Sequence, residues 1–230
     1  MVEEKSAEQT LVEFKQVLGE EFGQTFYLLH NDLVWLFVKW QQFQKLYETN
    51  TRRIEIMNKT APFVLRIVQI TLWESVVLNI ARLLDPPESF GKPNLSIKRL
   101  EQFIEDKTKK EKLSSLIDNA ETFVSFARDW RNRQIAHRDL ELAMNTSIKS
   151  LAEVNKDDID NSLKAIKDVF NYFHSTYFNT TFYYDMGSYP GDANNLLYYL
   201  LAGWSSEQKR FERMENGTAT EEDYISPRAF

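Results

Sequence analysis

Bulky apolar residues recur along this chain at the spacing of an α-helix. From Phe26 they fall at Leu29, Leu33, Leu36, Trp40, Phe43 and Tyr47, in steps of three and four. That spacing lays one stripe along several helical turns. Trp35, Phe37 and Val38 lie off the stripe, so this helix is expected to be buried on two sides. A shorter amphipathic segment over about 9–22 precedes it, with Gly19 and Gly23 as the break between them. Thr60-Ala61-Pro62 starts the next helix, since proline is accommodated in a first turn. Phe63, Ile67, Ile70, Val77, Ala81 and Leu84 carry its stripe, with Glu74 among them. Asp85-Pro86-Pro87 ends it, because each proline lacks a donor and restricts its predecessor. Residues 88–94 read as a loop, and Ser96 as the cap of a short helix carrying Leu100, Phe103 and Ile104.

A long helix is expected over about 110–137, with Leu113, Leu116, Ala120, Phe123, Ala127 and Trp130 on one face. Residues 140–151 have no clean period and read as a loop. Asn155 or Asp157 caps a further helix bearing Ile159, Leu163, Ile166, Phe170, Phe173 and Tyr177. Residues 183–191, rich in Gly, Pro and Tyr, form a second break. A last helix over about 192–214 carries Leu196, Leu197, Leu200, Leu201 and Trp204, followed by a polar, frayed tail. No strand and no internal repeat stands out. The fold class is therefore all-α: an antiparallel helical bundle with additional N- and C-terminal helices. Residues 1–50 are expected to hold N-terminal helices packing on the bundle, 51–180 its core, and 181–230 a C-terminal helix and tail, all in one compact domain.

Composition narrows the function. The 230 residues include 43% hydrophobic and 27% charged positions, ordinary globular values that exclude disorder of the whole chain. With no cysteine, disulfides, thiolate metal sites and cysteine nucleophiles are excluded. The acidic start has no basic region followed by an apolar run, so no signal peptide is read there. Leu33 to Trp40, the most apolar stretch by inspection, is too short to span a bilayer. A cytoplasmic protein without membrane association is the expectation. A net charge of −6 argues against general polyanion binding, though not against one local basic site.

One such site exists. Arg128-Asp129-Trp130-Arg131-Asn132-Arg133-Gln134-Ile135-Ala136-His137-Arg138-Asp139 holds four arginines and a histidine in twelve residues. On an ideal helix Arg131 and His137 sit about 120° apart. Either the helix ends or distorts before His137, or a second chain supplies part of the site, as a twofold dimer would. The plainer reading is a helix end, whose dipole favours Arg and His, with Asp139 pairing Arg138 or Arg131. Glu74, Arg82 and Asp85 share one helix and read as an ion-pair network, or as groups supporting the basic segment from behind. His30 reads as a satisfied, partly buried histidine, and His174 as a surface or packing residue. Three scattered histidines make no metal site. No Gly-rich phosphate loop, nucleophile elbow or zinc-binding motif is present.

The Arg131-Asn132-x4-His137 spacing resembles the Arg-polar-x3–5-His motif of the HEPN superfamily, small α-helical domains that include many ribonucleases of defence and toxin systems. With the helix end Leu78-Asn79-Ile80-Ala81-Arg82-Leu83-Leu84-Asp85-Pro86, it resembles the HEPN-like abortive-infection U subfamily over roughly 12–178. The core at 51–180 is accordingly expected to be HEPN-like. The resemblance implies a metal-independent endoribonuclease working as a homodimer on RNA, with no cofactor. Its partners would include an antitoxin or other defence-system protein. It assigns proton transfer to His137, transition-state charge to Arg131 and orientation to Asn132. Arg128, Arg133 and Arg138 would contact substrate phosphates, supported by Glu74, Arg82, Asp85 and Asp139. Some toxins of the superfamily carry a Tyr two residues after the motif His. Here Asp139 stands there, so control through that Tyr is not implied. The other function class open to this sequence is a catalytically inactive HEPN-like module for dimerisation and for binding a partner or nucleotide.

Overall fold

Ser6 opens the first helix. Its hydroxyl accepts from the Gln9 N–H while the Gln9 side chain accepts from the Ser6 N–H, a reciprocal cap. The computed structural model describes residues 5–48, 50–136, 140–144, 151–186 and 189–224. Within them α1 (Ala7–Leu18) and α2 (Glu20–Tyr47) are followed by α3 (Thr51–Thr60) and α4 (Pro62–Leu83). A two-stranded antiparallel hairpin, β1 (Glu88–Ser89) and β2 (Lys92–Pro93), leads to a 3-10 turn at Ile97–Phe103. Next come α5 (Lys107–Trp130), a π turn at Arg131–Ile135, α6 (Leu140–Ala143), α7 (Lys156–Phe178), α8 (Ala193–Glu215) and a 3-10 turn at Glu221–Tyr224. The described chain is all-α apart from that hairpin.

Several local expectations are corrected. Gly19 alone breaks α1 from α2, at a φ of 91° that favours glycine. Gly23 lies inside α2 because a backbone crosses it: a Cβ there would fall 2.5 to 2.6 Å from backbone atoms of Lys15 and Phe14. A separate helix, α3, occupies a stretch with too few apolar residues for a clean stripe, and Asn50 starts it by accepting from the Arg52 and Arg53 N–H groups. The 88–94 loop contains the hairpin, turned by Phe90 and Gly91 at φ 52° and 72°. Ser96 makes no side-chain cap bond, and its buried hydroxyl has no partner among the described residues. Asn155 caps α7, with Asp158 reaching back to its N–H.

The chain forms two compact units. The first comprises the described residues of 1–40 and 72–187, the second those of 41–71 and 188–230. Helices α2 and α4 contribute residues to both.

In the first unit α7 packs along α5, and the Ser162 hydroxyl donates to the Phe123 carbonyl across them at 2.9 Å. The α2 stripe from Phe26 to Trp40 is buried as its spacing predicts, and Phe37 with it, while Trp35 is exposed. So α2 is covered more broadly than by one stripe, but not on every off-stripe side. From α4 the core takes Val76, Val77, Ile80 and Ala81; from α7 it takes Ile159, Leu163, Ile166, Phe170 and Phe173. One polar cluster interrupts this apolar interior. The Tyr184 hydroxyl lies 2.8 Å from His30 Nδ1 and 3.3 Å from His174 Nε2. All three residues are buried, with Phe14 and Phe182 against the His30 ring. A hydroxyl has one proton, so it donates to one imidazole and accepts from the other; because it meets Nδ1 of His30 and Nε2 of His174, both rings then carry the same tautomer, Nε2–H if it donates to His30 and Nδ1–H if it donates to His174. Burial lowers the His30 pKa to about 3, helped by the neighbouring His174. Burial also lowers that of His174 to about 4, against the pull of Glu13.

In the second unit, Lys45 pairs with Asp192 at 2.7 Å, and Asp192 also caps α8 by accepting from the Asn194 and Asn195 N–H groups. The Tyr47 hydroxyl donates to the Leu65 carbonyl at 2.7 Å. Of the tail after Asn216, the described residues 217–224 fold back rather than fraying: Asp223 is buried and accepts from Arg213 and from the Thr220 N–H. The stripes of α4 and α8 are only partly covered. Leu65, on another face of α4, is buried, while Phe63, Val64, Ile67 and Ile70 are exposed. On α8 Leu197 is buried while Leu196, Tyr198 and Tyr199 are exposed.

By length and composition α4 could cross a membrane, so it exceeds Leu33 to Trp40 as the most apolar segment. Its residues from Val76 to Leu83 are largely spent on the core of the first unit.

The buried histidines dictate an acid response. Both fold with pKa values below the 6.5 of an exposed imidazole, so the unfolded chain binds protons first. Stability is complete above pH 6.5 and falls as pH drops toward 4 and 3. The expected slope is about 1.4 kcal/mol per pH unit for each histidine, read by urea unfolding at stepped pH. Tyr184→Phe, which strands both rings, should cost about 1–3 kcal/mol at pH 7.

Candidate functional site

The basic segment sits where α5 stops being an α-helix. Asp106 caps that helix by accepting from the Lys109 N–H, and its buried face (Leu113, Ile117, Ala120, Val124, Ala127) runs without interruption to the last turn. At Arg131 the ladder widens: the Ala136 N–H donates to the Arg131 carbonyl at 2.8 Å, five residues back. A π turn holds more residues per turn than an α-helix. Rotation per residue between 131 and 136 is thereby reduced. The helix thus distorts before position 137, one of the alternatives the spacing left open, but the reduced rotation does not by itself bring positions 131 and 137 onto one face. His137, Arg138 and Asp139 themselves lie outside the described residues.

Arg131 is gripped from two sides. One terminal nitrogen donates to Asp85 Oδ1, and Nε donates to Asn132 Oδ1 at 3.1 Å. Its side chain is 26% exposed and that of Asp85 22%. A guanidinium has five N–H donors, so these two bonds leave three for an incoming group among the described residues. Asp85 is itself fixed: its N–H donates to the Arg82 carbonyl at 3.1 Å, and Pro86 follows.

Arg128, one turn earlier, is occupied. It donates to the Leu84 carbonyl at 2.8 Å and to Glu121 at 2.7 Å, and Glu121 also meets Lys98 at 2.5 Å. Burial works against the Glu121 charge, but the Lys98 and Arg128 hydrogen bonds outweigh it and hold its pKa below the ordinary carboxylate value. Arg133 pairs with Asp129 at 3.6 Å. The other Asp129 oxygen accepts from the Ala152 N–H at 3.3 Å, and Trp130 Nε1 donates to the Ala152 carbonyl at 2.8 Å. The chain entering α7 is thus tied to the end of α5 through both backbone groups of one residue.

The expected network along α4 is not formed. Arg82 pairs with Asp32 of α2 at 2.8 Å, Asp85 turns to Arg131, and Glu74 is half-buried without an ion pair or hydrogen bond among the described residues. The structure therefore brings together Arg131, Asn132 and Asp85. It places Arg128 and Arg133 in neighbouring ion pairs, and Arg82 in a separate one. Sequence reasoning missed Asp129 as the anchor of residue 152, and Lys98 and Glu121 as the setting of Arg128. The i,i+4 spacing of Asp129 and Arg133 was the one available signal. Among the described residues no group of three His, Asp or Glu side chains is arranged to hold a metal ion.

An all-helical domain with a basic segment at the π-turned end of a long helix is the class these observations define. Residues 19–196, well over half of the chain, match the family HEPN_AbiU2, described as AbiU2. The chain belongs to this HEPN family, as the residues around Asp85 and Arg131 led one to expect. Neither a curated protein nor a solved structure matches it.

The two arginine pairs should differ in weight. Arg128→Ala leaves the Leu84 carbonyl and Glu121 short of a partner and should cost about 1–3 kcal/mol. Arg82→Ala removes a more exposed pair and should cost less than about 1 kcal/mol. Urea unfolding of the two variants measures the difference.

Proposed function

We propose that this chain is a metal-independent endoribonuclease of an abortive-infection or toxin-type defence system, with a composite active site at a homodimer interface. The observation that carries the reading is Arg131: half-buried at the start of a π turn, oriented by Asp85 and Asn132, with donors left over, in a chain of a HEPN family. Cleavage proceeds by attack of the ribose 2′-hydroxyl on the adjacent phosphorus. The 2′-oxygen forms a new P–O bond and the bond to the 5′-oxygen breaks, leaving a 2′,3′-cyclic phosphate and a 5′-hydroxyl. An imidazole takes the 2′ proton and another returns one to the 5′-oxygen. His137 of the two copies supplies both. Arg131 meets the charge that develops on the phosphorane oxygens, and Asn132 keeps its fork in register. Arg133 and Arg138 meet flanking phosphates. Arg128 is better read as the partner of the Leu84 carbonyl than as a substrate contact. The enzyme needs no cofactor, meets its RNA in the cytoplasm, and is held in check by an antitoxin or another defence-system protein.

A specific observation favours the second reading as well. The Arg131 charge already has a carboxylate partner in Asp85, as befits a catalytically inactive HEPN-like module that dimerises and binds a partner protein or nucleotide.

RNA cleavage in the presence of chelator separates the two. Wild-type protein should cut, and His137→Ala and Arg131→Ala should each lose about 10²-fold or more while keeping a native circular dichroism spectrum. Absence of cleavage by a wild-type dimer across several RNAs selects the binding module. Equal cleavage by wild type and His137→Ala removes His137 from the chemistry.

A further inference from the structure

The hairpin beside Asp85 carries a residue that neither its backbone nor its packing accounts for. Ser89 pairs with Lys92, so Phe90 and Gly91 form a two-residue turn, both at positive φ. Such a turn favours Asn, Asp or Gly at its first position. A bulky side chain there is strained by its own Cβ. Among the described residues the other non-glycine positive φ belongs to Asn179, a residue type that takes it readily. Burial could offset the strain at Phe90, yet its ring is fully exposed. A single exposed apolar residue ordinarily needs no explanation. One held in a costly conformation with no packing in return does, and such strain concentrates at functional positions.

The turn is also firmly placed. The Asn94 N–H donates to the Pro87 carbonyl at 2.8 Å. The Asn94 side-chain nitrogen donates to the Pro86 carbonyl and to the Ser89 hydroxyl, both at 2.8 Å. One asparagine thus ties the base of the hairpin to the two residues that follow Asp85, the carboxylate that grips Arg131. Five residues separate Phe90 from Asp85, a reach of at most about 18 Å. A stacked strand spans that distance in roughly five nucleotides, at about 3.4 Å each. Lys92 is exposed and makes no ion pair among the described residues. It lies opposite Ser89, while Glu88 lies opposite Pro93 and so on the other face of the ribbon.

We infer that the hairpin is a stacking platform: Phe90 takes one nucleobase of a single-stranded RNA whose scissile phosphate lies at Arg131, and Lys92 meets an adjoining phosphate. The inference rests on the nuclease reading for the identity of its ligand. An exposed aromatic ring beside a free cation is the pairing that holds single strands, because every base has a face to stack and every linkage a charge. It gives the site a grip on RNA that Arg131, already paired with Asp85, supplies only in part. A protein contact is the poorer fit. Ser89, Gly91 and Lys92 around the ring offer little apolar surface to seal a buried anchor from water.

The test uses the full chain and a fluorescein-labelled 2′-O-methyl oligonucleotide of mixed sequence, about twelve nucleotides long. This strand lacks the attacking hydroxyl and cannot be cut. Fluorescence anisotropy should show saturable binding that weakens with salt. Phe90→Asn suits the turn and should leave the melting temperature unchanged or higher, yet weaken binding about fivefold or more. Phe90→Trp should bind as wild type does. A strand of abasic sites should bind wild type more weakly and be less affected by Phe90→Asn. Lys92→Glu should weaken both strands alike. The assignment is overturned if wild type does not bind, if Phe90→Asn binds as wild type does, or if the abasic strand binds wild type as well as the base-bearing one. Unchanged RNA binding with loss of self-association in Phe90→Asn also overturns it and gives the tip to a protein interface. Cleavage of unmodified RNA keeps the two readings apart. A wild type that cuts, with Phe90→Asn unaffected in binding, overturns the hairpin assignment alone. A wild type that binds through Phe90 without cutting overturns the nuclease reading alone.

Discussion

The Leu84 carbonyl and the Asp85 carboxylate just past the end of α4 need partners, and two arginines at the end of α5 supply them. A helix leaves its final C=O groups unsatisfied, and Pro86 and Pro87 bar the usual continuation. Arg128 takes the Leu84 carbonyl and Arg131 takes the Asp85 carboxylate three residues on. Two consecutive positions at the end of one helix are thereby clamped by two positions one turn apart at the end of another. The other contacts near the basic segment adjoin that clamp. Glu121 and Lys98 fix Arg128 and draw the 3-10 turn at Ile97–Phe103 into the same place. With Arg131 held, the chain widens into its π turn directly after the fixed residue. Asp129 and Trp130 then hold residue 152, so the strand of chain returning toward α7 passes the same point.

One polar cluster in the interior of the first unit is satisfied in the same economical manner. Two histidines and a tyrosine would each be costly alone among phenylalanines. Together they need only each other: one hydroxyl serves both rings, at the junction of α2, α7 and the segment after α7. The arrangement works only while both rings are neutral. It therefore links the packing of Phe14 on α1 and of Phe182 to the protonation of groups far in sequence from the basic segment.

Elements whose cause is local were legible in the sequence. The α2 and α7 stripes, the Gly19 break, the Asn155 cap and the Pro86 stop each depend on a few neighbouring residues, and each is where the pattern put it. What escaped depends on contacts between distant segments. Gly23 looks like a breaker until the α1 backbone is seen to cross it. Phe63, Ile67 and Ile70 have the spacing of a core stripe, yet spacing cannot tell which stripe finds a partner. The pairing of Asp85 with Arg131 spans 46 residues, and the π turn leaves no mark in composition. Residue types therefore pointed to Arg131, Asn132 and Asp85 as members of a site, while their mutual geometry had to come from the fold. The placement of His137, Arg138 and Asp139 lies outside the described residues and adds nothing to that judgement.

The Asp85 pairing need not silence Arg131 under the nuclease reading. The two side chains are about a quarter exposed, where the effective dielectric is well above that of a dry interior. A carboxylate there reduces the attraction of the guanidinium for a phosphodiester, which carries one negative charge. The pentavalent phosphorane carries more, concentrated on its equatorial oxygens. The Arg131 donors not used by Asp85 and Asn132 then gain more in the transition state than in the ground state. Only such a difference accelerates a reaction. A bare arginine would bind substrate and product phosphates more tightly without raising the rate of the chemical step in proportion. Asp85 also holds the guanidinium in one orientation before RNA arrives, which lowers the reorganisation that charge development would otherwise demand. The same ion pair that looks inhibitory in the resting chain is thus compatible with catalysis, and the protonation chemistry at position 137 decides between the two.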